Sequence, residues 1–229
     1  MLQFDKKVEK AIFIAKKNLA GLVYDFQTIE GMPFTLPEVQ TYLQGITIGG
    51  HKETDEYKLK QQAEAWKYLI YLVENEKFKM TKGIACSLQS IVAKKEALEW
   101  GDFRHGQVWI KGSSYIPPEH TLLDQMFDNL CEKINNIKDV FTRGLVVSLD
   151  MARKQYFYDG NKRTGLLMTN GIFISNGLMP FSIPSKAVLE YNTKMLKFYE
   201  TGKEKALLNF FEKQYIKEYP GFDLGRAGL

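Results

Sequence analysis

The stretch QYFYDGNKRTGL, residues 155–166, connects two apolar segments that are long enough to be helices. Apolar residues recur at helical spacing over about 139–157 and again over about 161–176. The Asp-Gly-Asn between the two segments predicts a tight turn, because Gly160 accepts backbone conformations that other residues resist. The stretch therefore predicts one helix, a tight turn and a second helix.

The start of the second predicted helix has the properties of an anion-binding site. Its first N–H groups have no partner within the helix, and the helix dipole places a partial positive charge there. Lys162 and Arg163 add two cations at the same place, which favours phosphate. Asp159, beside them, is a hard oxygen ligand that suits a Mg²⁺ bridging a nucleotide. The same residues also fit an aspartate-capped helix start with solvated basic side chains, so the residues alone leave both interpretations open.

The rest of the chain predicts helices almost throughout. Apolar residues at positions i, i+3 and i+4 indicate amphipathic faces, and glycine and proline mark the ends. One such helix begins at Pro37, where a missing N–H costs nothing, and ends by Gly45. The other predicted helices lie near 5–27, 54–77, 82–98 and 119–135, with two more between Ser185 and Tyr215, separated at Thr201-Gly202. The predicted fold class is all-α.

One segment departs from the helical pattern. Residues 107–115, QVWIKGSSY, alternate through Val108 and Ile110 and then reach a Gly-Ser-Ser turn. Pro117 and Pro118 end the segment and precede the next helix. This pattern predicts a short β-hairpin.

The 229 residues carry 31 Lys and Arg against 27 Asp and Glu, a formal net charge of +4, with 45% hydrophobic and 25% charged residues. These values are typical of a globular protein and exclude collagen, mucin-like stalks and long disorder. A charge of +4 without a basic run argues against nucleic acid as a partner. Cys86 and Cys131 stand in helical contexts and are expected to be reduced thiols. No signal peptide and no apolar stretch long enough for a membrane span is found, so a cytoplasmic location is expected.

Together these stretches resemble the Fic (Fic/Doc) family, whose motif reads His-Pro-Phe-x-Asp/Glu-Gly-Asn-Gly/Lys-Arg-x-x-Arg. The motif positions here are residues 155–166. Residues 101–118, GDFRHGQVWIKGSSYIPP, resemble the family's Gly-x-Phe-Arg segment and the flap hairpin that follows it. The resemblance covers about Glu56 to Tyr215 and implies an all-α, Fic-type helical bundle with a small β-hairpin flap.

The resemblance also implies an organisation of the chain. Residues 54–217 are the expected Fic domain, and residues 1–53 are N-terminal helices that precede it. Residues 218–229 are expected to form a loose tail.

The resemblance further implies a protein adenylyltransferase, which moves AMP or a related group from ATP to a protein hydroxyl (AMPylation). Within the family, the chain resembles the cell filamentation proteins. Mg²⁺ and ATP are the implied cofactors.

The implied catalytic positions are those of Gln155, Asp159, Asn161 and Arg163. The implied nucleotide contacts are Gly160, Asn161, Lys162, Arg163 and, against the adenine, Tyr191, for which ordinary helix packing is the other interpretation. The implied Mg²⁺ ligand is Asp159. The flap residues that would align a protein target as an added strand are Val108, Ile110, Gly112 and Tyr115.

Two motif positions depart from the family pattern. Gln155 stands where the family has the histidine that takes a proton from the target hydroxyl. A carboxamide cannot accept a proton near neutral pH, and the loss of a general base typically costs about 100- to 10,000-fold in rate. Leu166 stands at the last motif arginine, so one phosphate contact is missing.

A third departure lies near the amino terminus. Many family members carry an inhibitory helix with Ser/Thr-x-x-x-Glu-Gly/Asn, whose glutamate pairs with the last motif arginine. Residues 40–46, QTYLQGI, resemble a degraded copy, with Gln44 in place of the glutamate and Gly45 kept. Gln44 and Leu166 would then both be neutral where the family has an ion pair. Joint loss avoids the cost of one buried, unpaired charge.

Three hypotheses follow from these departures. The favoured one is a Fic-fold protein that binds nucleotide phosphate at the Asp-Gly-Asn-Lys-Arg turn and has weak or no transfer activity. The alternative is an active transferase or toxin with a relocated base, for which the candidates are His51, His105 and His120. A scaffold that binds other proteins without a nucleotide is the third. A homo-oligomer stays open in each, and the toxin variant of the active transferase would need an antitoxin partner.

Overall fold

The computed structural model describes residues 5–221, and every regular element within this range is helical. The α-helices are α1 (Lys6–Lys17), α2 (Leu19–Ile29), α3 (Leu36–Leu43), α4 (Glu53–Glu74), α5 (Lys82–Val92), α6 (Leu123–Asn135), α7 (Val140–Lys154), α8 (Asn161–Ser175), α9 (Val188–Thr201) and α10 (Lys205–Glu218). Single turns of 3₁₀ helix, His120–Leu122 and Ser185–Ala187, lead into α6 and α9. The predicted all-α class is therefore confirmed.

The first predicted helix is interrupted at Asn18, which ends α1 and begins α2. The Asn18 backbone (φ −98°, ψ 16°) leaves the helical range. Its side-chain Oδ1 lies 2.5 Å from the place where a Cβ on Gly21 would be, so the missing Cβ of Gly21 makes room for the amide. Apolar periodicity continues across the break, and for that reason the sequence predicts one helix over 5–27.

Helix α3 begins at a capping box formed by Thr35 and Glu38. The Thr35 hydroxyl accepts a hydrogen bond from the Glu38 N–H (3.4 Å), and the Glu38 carboxylate accepts one from the Thr35 N–H (2.7 Å). Pro37 lies in the first turn, as predicted.

Helices α7 and α8 form the centre of the molecule, and α8 is buried over nearly its whole length. The two helices approach closely because each has a glycine facing the other helix, Gly144 in α7 and Gly165 in α8. A Cβ on Gly144 would lie 2.5 Å from Phe173, and one on Gly165 would lie 3.1 Å from the Cα of Ser148. The Thr169 hydroxyl also donates across the pair to the Gly144 carbonyl (2.7 Å). This packing fixes the position of the turn that joins the two helices.

The other helices share one apolar core with this central pair. Buried residues of α1 and α2 belong to the same cluster as those of α10. Of the segment predicted as a tail, α10 includes Glu218, and residues 222–229 lie outside the described residues. Between residues 5 and 221, no helix is both long and apolar enough to cross a membrane.

The predicted β-hairpin at residues 107–115 is wrong, since no strand forms within the described range. The turn itself is present, with Gly112 at φ +82°. The strands are absent in part because a side chain takes backbone groups that a ladder would use. Gln107 Nε2 donates to the carbonyls of Val108 (3.2 Å) and Pro117 (3.1 Å). The flap is therefore an irregular loop with a tight turn at its tip.

Candidate functional site

Helix α7 ends at Gln155, which has a left-handed backbone conformation (φ 51°, ψ 65°). Both ends of its side-chain amide are hydrogen-bonded: Nε2 donates to the Ala152 carbonyl (2.5 Å), and Oε1 accepts from Asn161 Nδ2 (2.9 Å). The Gln155 carbonyl accepts from Arg104 Nε (2.6 Å). Gln155 therefore joins the end of α7 to the start of α8. Residues 155–163 are called the motif turn below.

Asn161 and Gly160 lock the motif turn from inside. Asn161 is 3% exposed, and its amide both accepts from the Phe157 N–H (2.9 Å) and donates to the Phe157 carbonyl (2.8 Å). Gly160 has φ +78°, and a Cβ there would lie 2.9 Å from the Cβ of Ala93. Backbone conformation and lack of space therefore both require glycine at this position.

Arg104 ties the base of the flap to the motif turn. This arginine is 1% exposed, and its backbone N–H donates to the Tyr156 carbonyl (2.9 Å). Its guanidinium donates to the carbonyls of Gln155 and Gly106 (2.6 Å each) and of Pro118. Arg104 is missing from the sequence-predicted site residues, although it is the arginine of the Gly-x-Phe-Arg segment. That segment is the signal that could have identified it.

Arg163 is buried (1% exposed) and bonded to carboxylates. Its Nη1 donates to Glu96 Oε1 (3.0 Å) and to the Val92 carbonyl (2.9 Å). Its Nη2 donates to Glu96 Oε2 (3.3 Å) and to Asp159 Oδ1 (3.5 Å). Burial opposes the positive charge, but Glu30 and Glu96 outweigh this effect and raise the pKa of Arg163. The motif turn therefore has a permanently charged side chain at its centre.

A third carboxylate beside Arg163 comes from the end of α2. Glu30 Oε1 lies 3.7 Å from Arg163 Nε and 3.8 Å from Lys162 Nζ, and 25% of the Glu30 side chain is exposed. A distance of 3.7 Å is too long for a hydrogen bond, and the buried Nε has no hydrogen-bond partner. Lys58 of α4 lies 3.3 Å from Glu96 Oε2. These groups form a charge cluster, which consists of Glu30, Lys58, Glu96, Asp159, Lys162 and Arg163.

The structure does not bring the predicted inhibitory-like residues 40–46 together with Leu166. Gln44 and Gly45 are exposed beyond the end of α3, whereas Leu166 is fully buried in α8. The N-terminal carboxylate that reaches the motif turn is Glu30. Glu30-Gly31 matches the Glu-Gly end of the family's inhibitory pattern, and this dipeptide is the signal that sequence analysis missed. Phe26 stands at the Ser/Thr position of that pattern.

Tyr191 lies in the core beside the charge cluster. It is 1% exposed, and its ring packs against Phe210 with centroids 6.3 Å apart. Burial, and then the nearby Tyr199 and Glu30, raise the pKa of its phenol. Tyr199 is buried as well, and burial followed by Glu30 raises its pKa too. Both phenols are therefore buried within electrostatic range of Glu30, and the ring of Tyr191 is enclosed in the core.

The flap residues lie in the loop before α6. Val108 is buried, Ile110 and Tyr115 are partly buried, and Gly112 forms the exposed tip. The Tyr115 ring packs under the Arg153 guanidinium, with Cζ 4.0 Å from the ring centroid.

The three histidines that could replace the missing base, His51, His105 and His120, make their contacts outside the motif turn. His51 Nε2 is 2.9 Å from Glu38 Oε1, and its ring packs on Phe34 with centroids 4.1 Å apart. His105 is exposed, with Nδ1 3.1 Å from Glu99 Oε2. His120 is exposed in the 3₁₀ turn before α6. No hydrogen bond joins any of the three rings to the motif turn in residues 5–221.

The motif turn fits Mg²⁺ only together with a ligand that supplies further oxygen atoms. Asp159 Oδ1 accepts from the Gly160 N–H (2.5 Å), and 51% of the Asp159 side chain is exposed. Across the described residues, no group of three or more His, Cys, Asp or Glu is placed to hold a metal. A Mg²⁺ bound with nucleotide phosphates needs only one or two carboxylates, which Asp159 can provide. The start of α8, the partly exposed Lys162 and the unpartnered Nε of Arg163 fit phosphate.

Comparison with known proteins points to one family. The Fic/DOC family matches residues 79–173. The protein adenylyltransferase Fic of Drosophila mojavensis is 26% identical over 175 residues, and protein adenylyltransferase fic-1 of Caenorhabditis briggsae is 24% identical over 174 residues. A solved structure of Fic-1 from C. elegans superposes with a TM-score of 0.77 at 20% identity.

These relatives are longer than the present chain. Each of the two adenylyltransferases matches 74% of this chain and only 34% of its own length. The C. elegans structure covers 95% of this chain, which covers 65% of that structure. The chain thus spans about a third of the curated relatives that it matches.

Proposed function

Because this chain is a Fic family protein, we propose that it binds a nucleotide at the motif turn and that its capacity to transfer AMP to proteins is weak or absent. The observation that carries this proposal is the state of Gln155. Its amide cannot take a proton, and both ends of that amide hold the turn together. The position of the general base is therefore occupied by a structural residue.

The rest of the motif turn retains the groups that bind nucleotide phosphate. The N–H groups at the start of α8 and the ammonium of Lys162 would bind the phosphate oxygens. Asp159 would hold Mg²⁺, and Asn161 keeps the turn in the conformation that presents these groups. Bound ATP would supply the AMP group, with Mg²⁺ neutralising phosphate charge.

Glu30 is the residue that a nucleotide has to displace. The charge cluster contains three cations and three anions, so a polyanion enters it only at the expense of a carboxylate. Glu96 makes two hydrogen bonds to Arg163, whereas Glu30 makes none and is more exposed. Glu30 is therefore the carboxylate that is easier to displace. In this proposal it takes the inhibitory role that the sequence suggested for residues 40–46.

The contacts of the three histidine rings do not support the idea that one of them replaces the missing general base. His51 and His105 both face glutamates that lie outside the motif turn. We therefore favour nucleotide binding with little transfer over an active enzyme.

Titration calorimetry with ATP, with and without Mg²⁺, tests the proposal. We expect Glu30→Gln to bind ATP roughly three- to tenfold more tightly than the wild type, because one repelling charge is removed. Lys162→Ala should bind ATP roughly three- to tenfold more weakly, because one charge-assisted contact is lost.

The matched control is Glu64→Gln, which makes the same charge change on the exposed face of α4. It should leave ATP affinity unchanged. No binding of ATP at millimolar concentration by the wild type and by Glu30→Gln would contradict the proposal and leave the interaction scaffold.

A further inference from the structure

The tip of the flap is fastened to the end of α9 by one carboxylate. Glu200 accepts three hydrogen bonds from two successive flap residues. Its Oε1 accepts from the Ser113 hydroxyl (2.6 Å) and from the Ser114 N–H (2.7 Å). Its Oε2 accepts from the Ser114 hydroxyl (2.8 Å). A single side chain thus holds both serines of the Gly-Ser-Ser turn.

The flap residues on either side of the two serines, Gly112 and Tyr115, also lie near the end of α9. A Cβ on Gly112 would be in van der Waals contact with Leu196, one helical turn before Glu200. Arg153 of α7 covers the Tyr115 ring and donates through Nε to the Tyr199 carbonyl (3.3 Å). The flap tip is therefore positioned by α9 on one side and by Arg153 on the other.

These contacts occupy a group that a docked strand would need. An extended segment pairs with another through backbone N–H and carbonyl groups. The Ser114 N–H is bonded to Glu200 and is not available for such pairing. The flap also presents Trp109 and Ile116 to solvent, 75% and 66% exposed, so its outer side is apolar while its tip is restrained.

We propose that Glu200 is a positioning residue that latches the flap onto α9 in an irregular conformation, and that a protein segment pairs with the flap only after this latch opens. The target-docking part rests on the proposed function. The latch itself rests only on the contacts of Glu200. Release of the Ser114 N–H leaves a backbone donor beside two exposed apolar side chains, which suits an extended segment with apolar residues.

Limited digestion of the full-length chain with trypsin tests the latch, because Lys111 lies exposed in the flap turn. We expect Glu200→Gln to be cut after Lys111 about two- to tenfold faster than the wild type, since charge-assisted hydrogen bonds to the flap are weakened. Glu190→Gln removes an exposed glutamate from the same helix and should be cut at the wild-type rate.

A second variant separates the latch from a general loosening of the structure. Ser113→Ala with Ser114→Ala removes two of the three donors, and its effect should not add to that of Glu200→Gln, because both changes break the same contacts. Hydrogen exchange should rise in residues 108–116 and stay constant in α8. Equal cleavage of the wild type and Glu200→Gln, additive effects, or faster exchange in α8 would each overturn the proposal.

The outcomes remain distinguishable from those of the nucleotide experiment. Failure of ATP binding would contradict the proposed function, while the cleavage rate after Lys111 would still report whether Glu200 restrains the flap.

Discussion

The motif turn and the flap are both short connections with a glycine at positive φ, yet they keep their shapes by different means. Buried side chains hold the motif turn, with Asn161 at 3% and Arg163 at 1% exposure. Exposed groups hold the flap, through Glu200 and two serines of its tip. The difference implies that the motif turn is coupled to the stability of the whole fold, while the flap can change conformation without unfolding its neighbours.

The largest expected effect comes from removing the central cation of the motif turn. Arg163→Ala leaves Glu96 beside a buried cavity without its bidentate partner, and Val92 loses a donor. We expect the free energy of unfolding to fall by about 3–5 kcal/mol, as for other buried pairs from which one partner is removed. Urea denaturation measures this change.

Lys162→Ala is the matched control within the same turn, because its side chain is 31% exposed. Its effect on the unfolding free energy should stay below about 1 kcal/mol. A similarly small loss for Arg163→Ala would contradict the view that burial makes the motif turn part of the global fold.

The next effect concerns chemistry at the motif turn. If the proposed function is correct and the missing base is the main defect, Gln155→His should raise AMP transfer to protein by about 100-fold or more. The measurement is incorporation of labelled AMP into protein, with Gln155→Asn as the control that restores no base. No gain would mean that Leu166, or the carboxylates around Arg163, also prevent transfer.

Which of these contacts the sequence could predict depends on the distance between the partners along the chain. Gly160 and Pro37 act on their own backbone, so the turn and the start of α3 were predictable. The helix break at Asn18 is accommodated by the missing Cβ of Gly21, a local relation that apolar periodicity does not register.

Glu30 was missed for the opposite reason. It lies beside Lys162 and Arg163 only in the folded chain, whereas residues 40–46 resemble the inhibitory pattern locally without making that contact. The flap was predicted as a hairpin because its alternating pattern is a local signal. The side chains of Gln107 and Glu200 that take its backbone groups are set by the tertiary structure.

Asp25, a partly buried carboxylate on α2, adds a further case to the comparison of buried and exposed groups. Burial raises the pKa of Asp25 from 3.8 to about 6, against the opposing hydrogen bond from the Ser182 hydroxyl (2.5 Å). Because the folded pKa is the higher one, protonation stabilises the fold, and this stability is lost as the pH rises through about 6. Asp25→Asn should therefore raise the unfolding free energy by about 1–3 kcal/mol at neutral pH.

The difference between Asp25→Asn and the wild type should vanish at a pH below the ordinary value of the carboxyl, where Asp25 is protonated in both states. Thermal unfolding across this range measures it, with Asp128→Asn as the control, because Asp128 is an exposed aspartate within α6. A constant difference at all pH values would show that packing of the amide, and not the charge, is responsible.

The smallest effect should appear in the flap, and pH separates it from the motif turn. Hydrogen bonds from Ser113 and Ser114 lower the pKa of Glu200 below its ordinary value of 4.5, whereas the pKa of Arg163 is raised by the nearby carboxylates, so the buried guanidinium keeps its charge on acidification. The contribution of Glu200 to flap protection is therefore complete above 4.5 and is lost as the pH falls through the lower folded pKa. Arg153 is the cation that faces the flap from α7. Hydrogen exchange, corrected for its intrinsic pH dependence, should rise in residues 108–116 on acidification while α8 stays protected. In Glu200→Gln the flap should exchange quickly at every pH, and simultaneous loss of protection in both regions of the wild type would show that they open as one unit.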